Sequence, residues 1–141
     1  MSASEEPTRW PLPSGITQAF LSLPSRDLKV HYLSTAPSQN GKKLPLILCL
    51  HGFPELSYSW RKIILPMAEM GYRVVAADQR GYGQTTGGSN TYISDQIVKE
   101  EYNMVNVAAD VQAFVTELGY SEVICDCSPF DCCSLSSRSI F

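Results

Sequence analysis

The chain has 141 residues and 15.6 kDa, 44% of them hydrophobic, which is enough apolar side chain for one ordinary domain with a core and argues against disorder throughout. Eleven Lys and Arg against 14 Asp and Glu give a net charge of -3 and a sequence pI near 5.3. The basic residues are scattered, so no face can neutralise a run of phosphates and a nucleic-acid partner is excluded. The opening residues, MSASEEPTRWPLP, have neither the charged nor the apolar region of a signal peptide, and no apolar run approaches the roughly 20 residues of a membrane span. The chain therefore reads as soluble and cytoplasmic.

In chain order, TQAFLSL (17–23) and LKVHYLS (28–34) flank the turn cluster PSRD and predict an antiparallel pair of strands. LPLILCL (44–50) is apolar without alternation, as expected of a strand covered on both faces. A loop follows, then a helical pattern in which Trp60, Ile63, Ile64, Met67 and Ala68 share a face and Gly71 ends the run; Pro66 inside it predicts a kink or break. YRVVAAD (72–78) is a second buried strand, and residues 81–100, rich in Gly, Ser, Thr and Asn, form a long surface loop. Met104, Val107, Ala108, Val111, Val115 and Leu118 mark an amphipathic helix closed by Gly119, after which EVIC starts another strand. The fold class is therefore α/β: a partial sandwich with a mostly parallel sheet and antiparallel lead-in strands, truncated after the fifth strand. Residues 1–14 are a polar extension, 15–124 the core and 125–141 a tail rich in Cys and Ser.

Two loops stand where such sheets place their chemistry. HGFPE (His51–Glu55) follows the buried strand directly. It is either a plain strand-to-helix turn or half of an oxyanion hole: Gly52 allows a tight reversal, and Pro54 restrains Phe53 so that its amide can be held toward developing negative charge. ADQRGYGQT (Ala77–Thr85) follows the next strand. Asp78 and Arg80 either brace an active-site floor by charge-assisted hydrogen bonds, with Gly81 and Gly83 permitting the turn, or belong to a solvated turn. The Gly81-Tyr82-Gly83 run lacks the third glycine and downstream acid of a dinucleotide site.

Residues 44–85, LPLILCLHGFPELSYSWRKIILPMAEMGYRVVAADQRGYGQT, resemble the α/β-hydrolase superfamily and, within it, the epoxide hydrolase family, where HGFPE, a following SW and a DQRGYG turn occur together in this order. The likeness extends over roughly residues 15–124, from the lead-in SRDLKVHYL to ELGYSEVI. It implies hydrolysis of an epoxide to a diol without a cofactor. An Asp attacks an epoxide carbon to give an ester, tyrosines on a helical cap domain assist the opening oxygen, and a His-activated water cleaves the ester. By the same resemblance Phe53 supplies an oxyanion-hole amide, His51, Gly52 and Pro54 hold that loop, and Tyr58 and Trp60 pack the helix. The implied partner is a small hydrophobic epoxide or ester substrate; oligomeric state is left open by the residues.

The resemblance also implies a G-x-nucleophile-x-G elbow after EVIC, much like G-H-D-W-G in epoxide hydrolases. Without a gap its positions fall on Asp126, Cys127, Ser128, Pro129 and Phe130. Asp126 and Phe130 replace both glycines, Pro129 has no N–H for a second oxyanion donor, and Ser128 alone stands at the nucleophile position. The two histidines, His31 and His51, lie upstream, whereas the acid and base of this superfamily follow the nucleophile. No complete catalytic set is present. The C-x-C-x4-C-C run from Cys125 to Cys133 has neither a neighbour to activate a thiol nor zinc-like spacing, so no metal is expected. Loss of pattern just after Ile124 fits a splice junction or frameshift, leaving that strand as an open hydrophobic edge without helices on its two sides. The chain is thus the N-terminal half of an epoxide-hydrolase-like enzyme and inactive, or a non-catalytic fragment with a binding or regulatory role, or a serine ester hydrolase of the same superfamily.

Overall fold

A computed structural model describes residues 10–87 and 102–127. Strands β1 (Thr17–Leu23) and β2 (Leu28–Ser34) form the expected antiparallel pair, in register from Thr17 opposite Ser34 to Leu23 opposite Leu28. A single 3-10 turn, Pro24–Arg26, joins them, with Asp27 left-handed at φ 51. A small hairpin follows, β3 (Ser38–Gln39) with β4 (Lys42–Lys43); elements this short carry no periodicity for a sequence pattern to reveal.

β5 (Leu46–Leu50) and β6 (Arg73–Ala77) are parallel neighbours, and β6 also pairs antiparallel with β2. The alternation within them explains their continuous apolar runs. Leu46, Leu48 and Leu50 of β5 and Val75 and Ala77 of β6 face one core, with Leu28, Val30, Tyr32, Phe114 and Val115. Ile47, Cys49, Val74 and Ala76 face a second core on the opposite side, with Ile16, Leu33, Trp60 and Ile64. A strand buried on both faces has no polar positions to alternate.

The helical segment between β5 and β6 departs from expectation. It is a 3-10 stretch, Ser57–Lys62, followed by α1 (Ile64–Glu69). The break lies at Ile63 rather than at Pro66. Pro66 is the third residue of α1, where a backbone N–H has no carbonyl one turn earlier to bond, so the ring is tolerated and the helix is not kinked there. Trp60 packs into the core as expected, and the Tyr58 hydroxyl donates to the Pro11 carbonyl at 3.1 Å.

α2 (Met104–Glu117) forms where the sequence pattern placed it, but its face is turned from the expected one: Asp110, Phe114 and Val115 are buried, while Met104 and Ala108 are exposed. Asn103 caps it by accepting from the Asn106 amide at 2.8 Å. At its other end Gly119, at φ 83, lets the Gly119 and Tyr120 amides bond back to the Thr116 and Val115 carbonyls. β7 (Thr86–Gly87) pairs with β2, and β8 (Ile124–Cys127) pairs parallel with β5. Among the described residues the main sheet runs β1-β2-β6-β5-β8, with β7 beside β2. Among the described residues β8 is an edge strand, paired only with β5, but the expectation that both its faces lack a helix needs correction on one side. Val123 and Cys125 pack against the core beneath α2, whereas Ile124 on the other face is 52% exposed.

Candidate functional site

The parallel register sets the site's position. Leu50 stands opposite both Ala77 and Cys127, so β5, β6 and β8 end in one row. α1 follows β5 and packs on one face of the sheet, while α2 follows β6 and packs on the other. The loops leaving β5 and β6 therefore diverge to opposite faces, the arrangement that opens a crevice at the carboxyl ends of an α/β sheet. The residues immediately past that row are His51 and Asp78.

His51 is buried, with 4% of its surface exposed, and its ring packs edge-on against Tyr82 at 4.9 Å between centroids. Its Nδ1 lies 3.0 Å from the Gly52 carbonyl oxygen, and its Nε2 accepts from the Gln79 amide at 3.0 Å. The Gln79 side-chain amide donates to the His51 carbonyl at 2.5 Å. The Gly52 oxygen also accepts from the Glu55 amide at 2.8 Å, closing the turn. Phe53 is 67% exposed and its peptide bond to Pro54 is cis.

Asp78 is almost wholly buried and is the hub of the second loop. One carboxylate oxygen accepts from His31 Nδ1 at 2.8 Å and from the Gln84 amide at 3.0 Å; the other accepts from the Ser57 amide at 2.8 Å. Burial alone would push this carboxyl up, but the His31, Ser57 and Gln84 donors outweigh it and hold it below the ordinary 3.8. The backbone closes around the same point. The Asp78 amide donates to the His31 carbonyl at 2.9 Å, and Thr85 Oγ1 donates to the Asp78 carbonyl while accepting from the His31 amide. Gly83, at φ +55, approaches so closely that a Cβ there would lie 2.0 Å from Asp78 Oδ2. At Gly81 a Cβ would lie 2.8 Å from Tyr102 Cε1.

Arg80 does not pair with Asp78. Its Nε and Nη2 donate to the two oxygens of Asp110, at 2.8 and 2.9 Å, in a bidentate fork reaching α2. Arg26, from the turn between β1 and β2, donates to the same carboxylate at 2.6 Å. Asp78 and Arg80 thus make the charge-assisted bonds expected of them, but to separate partners, and Asp110 locks three elements together.

Of the sequence-predicted site residues, the structure brings His51, Gly52, Phe53 and Pro54 to one end of β5 and Asp78, Arg80 and Gly81 to the adjoining end of β6. Ser128, proposed for the nucleophile position, lies outside the described residues, as do Cys132 and Cys133. Among the partners that sequence reasoning missed are His31, Gln79, Asp110 and Arg26, together with the Ser57 and Gln84 amides at Asp78. Gln79 could have been found, since it lies inside the DQRGYG motif; His31 and Asp110 are 47 and 30 residues from the groups they bind and carry no local signal. Among the described residues no group of three or more His, Cys, Asp or Glu could hold a metal ion. None of the described helices is long and apolar enough to cross a membrane.

The sequence model of a family described as the alpha/beta hydrolase fold matches residues 45–125. Epoxide hydrolase 4 of Mus musculus is 36% identical over 112 residues, which are 79% of this chain and 28% of that protein. Epoxide hydrolase B of Mycobacterium tuberculosis is 37% identical over 105 residues, 74% of this chain and 26% of that protein. A crystal structure of an epoxide hydrolase from Vigna radiata superposes with a TM-score of 0.63 at 31% identity, over 80% of this chain and 32% of its own. The chain therefore spans less than a third of the length of these relatives.

Proposed function

The chain belongs to the alpha/beta hydrolase fold family, and on that premise we propose that it carries the oxyanion-holding part of an epoxide-hydrolase-like site and does not by itself complete turnover. The substrate class is a small hydrophobic epoxide or ester. One observation carries the reading: HGFPE and DQRGYG leave adjacent strand ends and are joined there by two Gln79–His51 hydrogen bonds, with the Ser57 amide, just past HGFPE, bonded to Asp78.

When an ester is cleaved, negative charge collects on its carbonyl oxygen. A rigidly held amide such as that of Phe53 stabilises this charge in the transition state, and loss of one such donor typically costs roughly 2.7–4 kcal/mol. Asp78 and Arg80 serve as the floor that keeps the loop from relaxing. Absence of turnover is supported from two sides. At the elbow positions Asp126 and Phe130 replace glycine and Pro129 offers no N–H. Both histidines, moreover, are engaged at both ring nitrogens: His51 with Gly52 and Gln79, and His31 with Asp78 through Nδ1 and with Gln18 Oε1, at 3.4 Å, through Nε2.

The test is diol formation from styrene oxide, and p-nitrophenol release from p-nitrophenyl acetate, by the purified chain beside Ser128→Ala and Phe53→Pro. We expect neither product above the buffer rate. Ester cleavage that disappears in Ser128→Ala would instead support a serine hydrolase, and diol formation that disappears in Phe53→Pro would show a working epoxide hydrolase.

A further inference from the structure

The contacts of His51 allow only one protonation state. A backbone N–H can only donate, so the Gln79 amide at 3.0 Å requires a bare lone pair on Nε2. A carbonyl oxygen can only accept, so the Gly52 oxygen at 3.0 Å requires a proton on Nδ1. The Nε2–H tautomer and the imidazolium would each set an N–H against the Gln79 N–H. Only the neutral Nδ1–H ring satisfies both neighbours.

The proton on Nδ1 has a geometric consequence. The Gly52 carbonyl belongs to the same planar trans peptide unit as the Phe53 N–H, and the two point in opposite directions. Fixing the Gly52 oxygen between two donors, His51 Nδ1 and the Glu55 amide, therefore fixes the direction of the Phe53 N–H. The Gln79 side chain holds the His51 carbonyl at the preceding peptide, so neither end of the unit can swing freely.

We propose that His51 is a positioning residue whose neutral Nδ1–H tautomer, imposed by the backbone amide of Gln79, aims the Phe53 amide. The proposal rests on the oxyanion reading of this loop and names the device that orients the donor. It also assigns the two motifs a division of labour: HGFPE carries the amide, and Gln79 of DQRGYG selects the proton position that aims it.

The test is nuclear magnetic resonance of the full chain labelled with 15N-histidine, using two-bond proton–nitrogen correlations at neutral pH. We expect His51 as the Nδ1–H tautomer with Nε2 as an acceptor; an Nε2–H tautomer or an imidazolium overturns the proposal without any variant being made. Two substitutions then separate aiming from packing. In His51→Asn the side-chain amide can reproduce the Nδ1 donor, whereas in His51→Gln the carbonyl can reproduce only the Nε2 acceptor. The Gly52 carbonyl 13C and Phe53 amide shifts are expected to stay near their original values in His51→Asn and to move in His51→Gln, and equal displacement in both refutes the aiming role. Titration with phenylphosphonate tests the oxyanion reading separately: an unmoved Phe53 amide would overturn that reading and leave the tautomer result standing.

Discussion

Replacing Gly83 by alanine probes the buried hub directly. The new Cβ would lie 2.0 Å from Asp78 Oδ2 and 2.3 Å from Cγ, on a residue at φ +55. A left-handed alanine costs roughly 1–2 kcal/mol by itself. The carboxylate must also move, and it holds three donors, from His31, Ser57 and Gln84; stranding even part of such a set costs about 1–3 kcal/mol per buried group. With one donor stranded the expected loss is about 2–5 kcal/mol, a large fraction of the roughly 5–15 kcal/mol that holds a domain together. Gly41→Ala is the control, since Gly41 has φ +75 and nothing within 4 Å of its added Cβ, so it bears the conformational cost alone. Urea denaturation followed by circular dichroism reads both. In an Asp78→Ala background the clash is gone, and Gly83→Ala should then cost no more than Gly41→Ala. Equal losses for Gly83→Ala and Gly41→Ala in the original chain would refute the close-approach argument.

The remaining predictions concern the charges and the helix break. The folded Asp78 carboxyl lies below 3.8, so its contribution is present above that pH and is lost as pH falls through the folded value. Urea midpoints measured from about pH 5 to about pH 2 should therefore fall more steeply in the original chain than in Asp78→Asn. Asp110→Ala takes the carboxylate from a buried guanidinium and should destabilise by about 3–5 kcal/mol. Arg26→Ala, removing the more exposed of the two guanidinium partners, 23% against 6% for Arg80, should cost less than Asp110→Ala; the reverse order in denaturation experiments would show that Asp110 does not serve chiefly Arg80. Pro66→Ala should change stability by less than about 1 kcal/mol, because the first turn of α1 accommodates the ring. A larger change in urea midpoint would mean that the ring does more than end a turn.

Much of the fold was legible because burial writes itself into the sequence. The bounds of β1 and β2 coincide with their apolar segments, and the unbroken apolar run of β5 announces cores on both faces. Boundaries that depend on backbone bonding were less visible. Leu44 and Pro45 look like strand but lie outside β5; the Leu44 amide bonds to the Pro37 carbonyl, and proline has no N–H to offer. The helix break at Ile63 likewise follows from a 3-10 segment whose side chains already show a helical face. At the site, sequence identified the loops but not what holds them. Asp78 and Arg80 are neighbours in sequence, which suggested a common role. Register instead places Asp78 beside His31, and the packing of α2 brings Asp110 to Arg80. Such pairings arise from topology, and no spacing within a motif encodes them.

The proposal that this chain holds hydrolase loops without itself completing turnover is tested most directly by diol formation from styrene oxide by the purified, folded chain, followed chromatographically with Phe53→Pro alongside. We expect no diol above the uncatalysed background from either protein. Diol formation by the unsubstituted chain that is lost in Phe53→Pro would contradict the claim and show that this chain itself completes the chemistry.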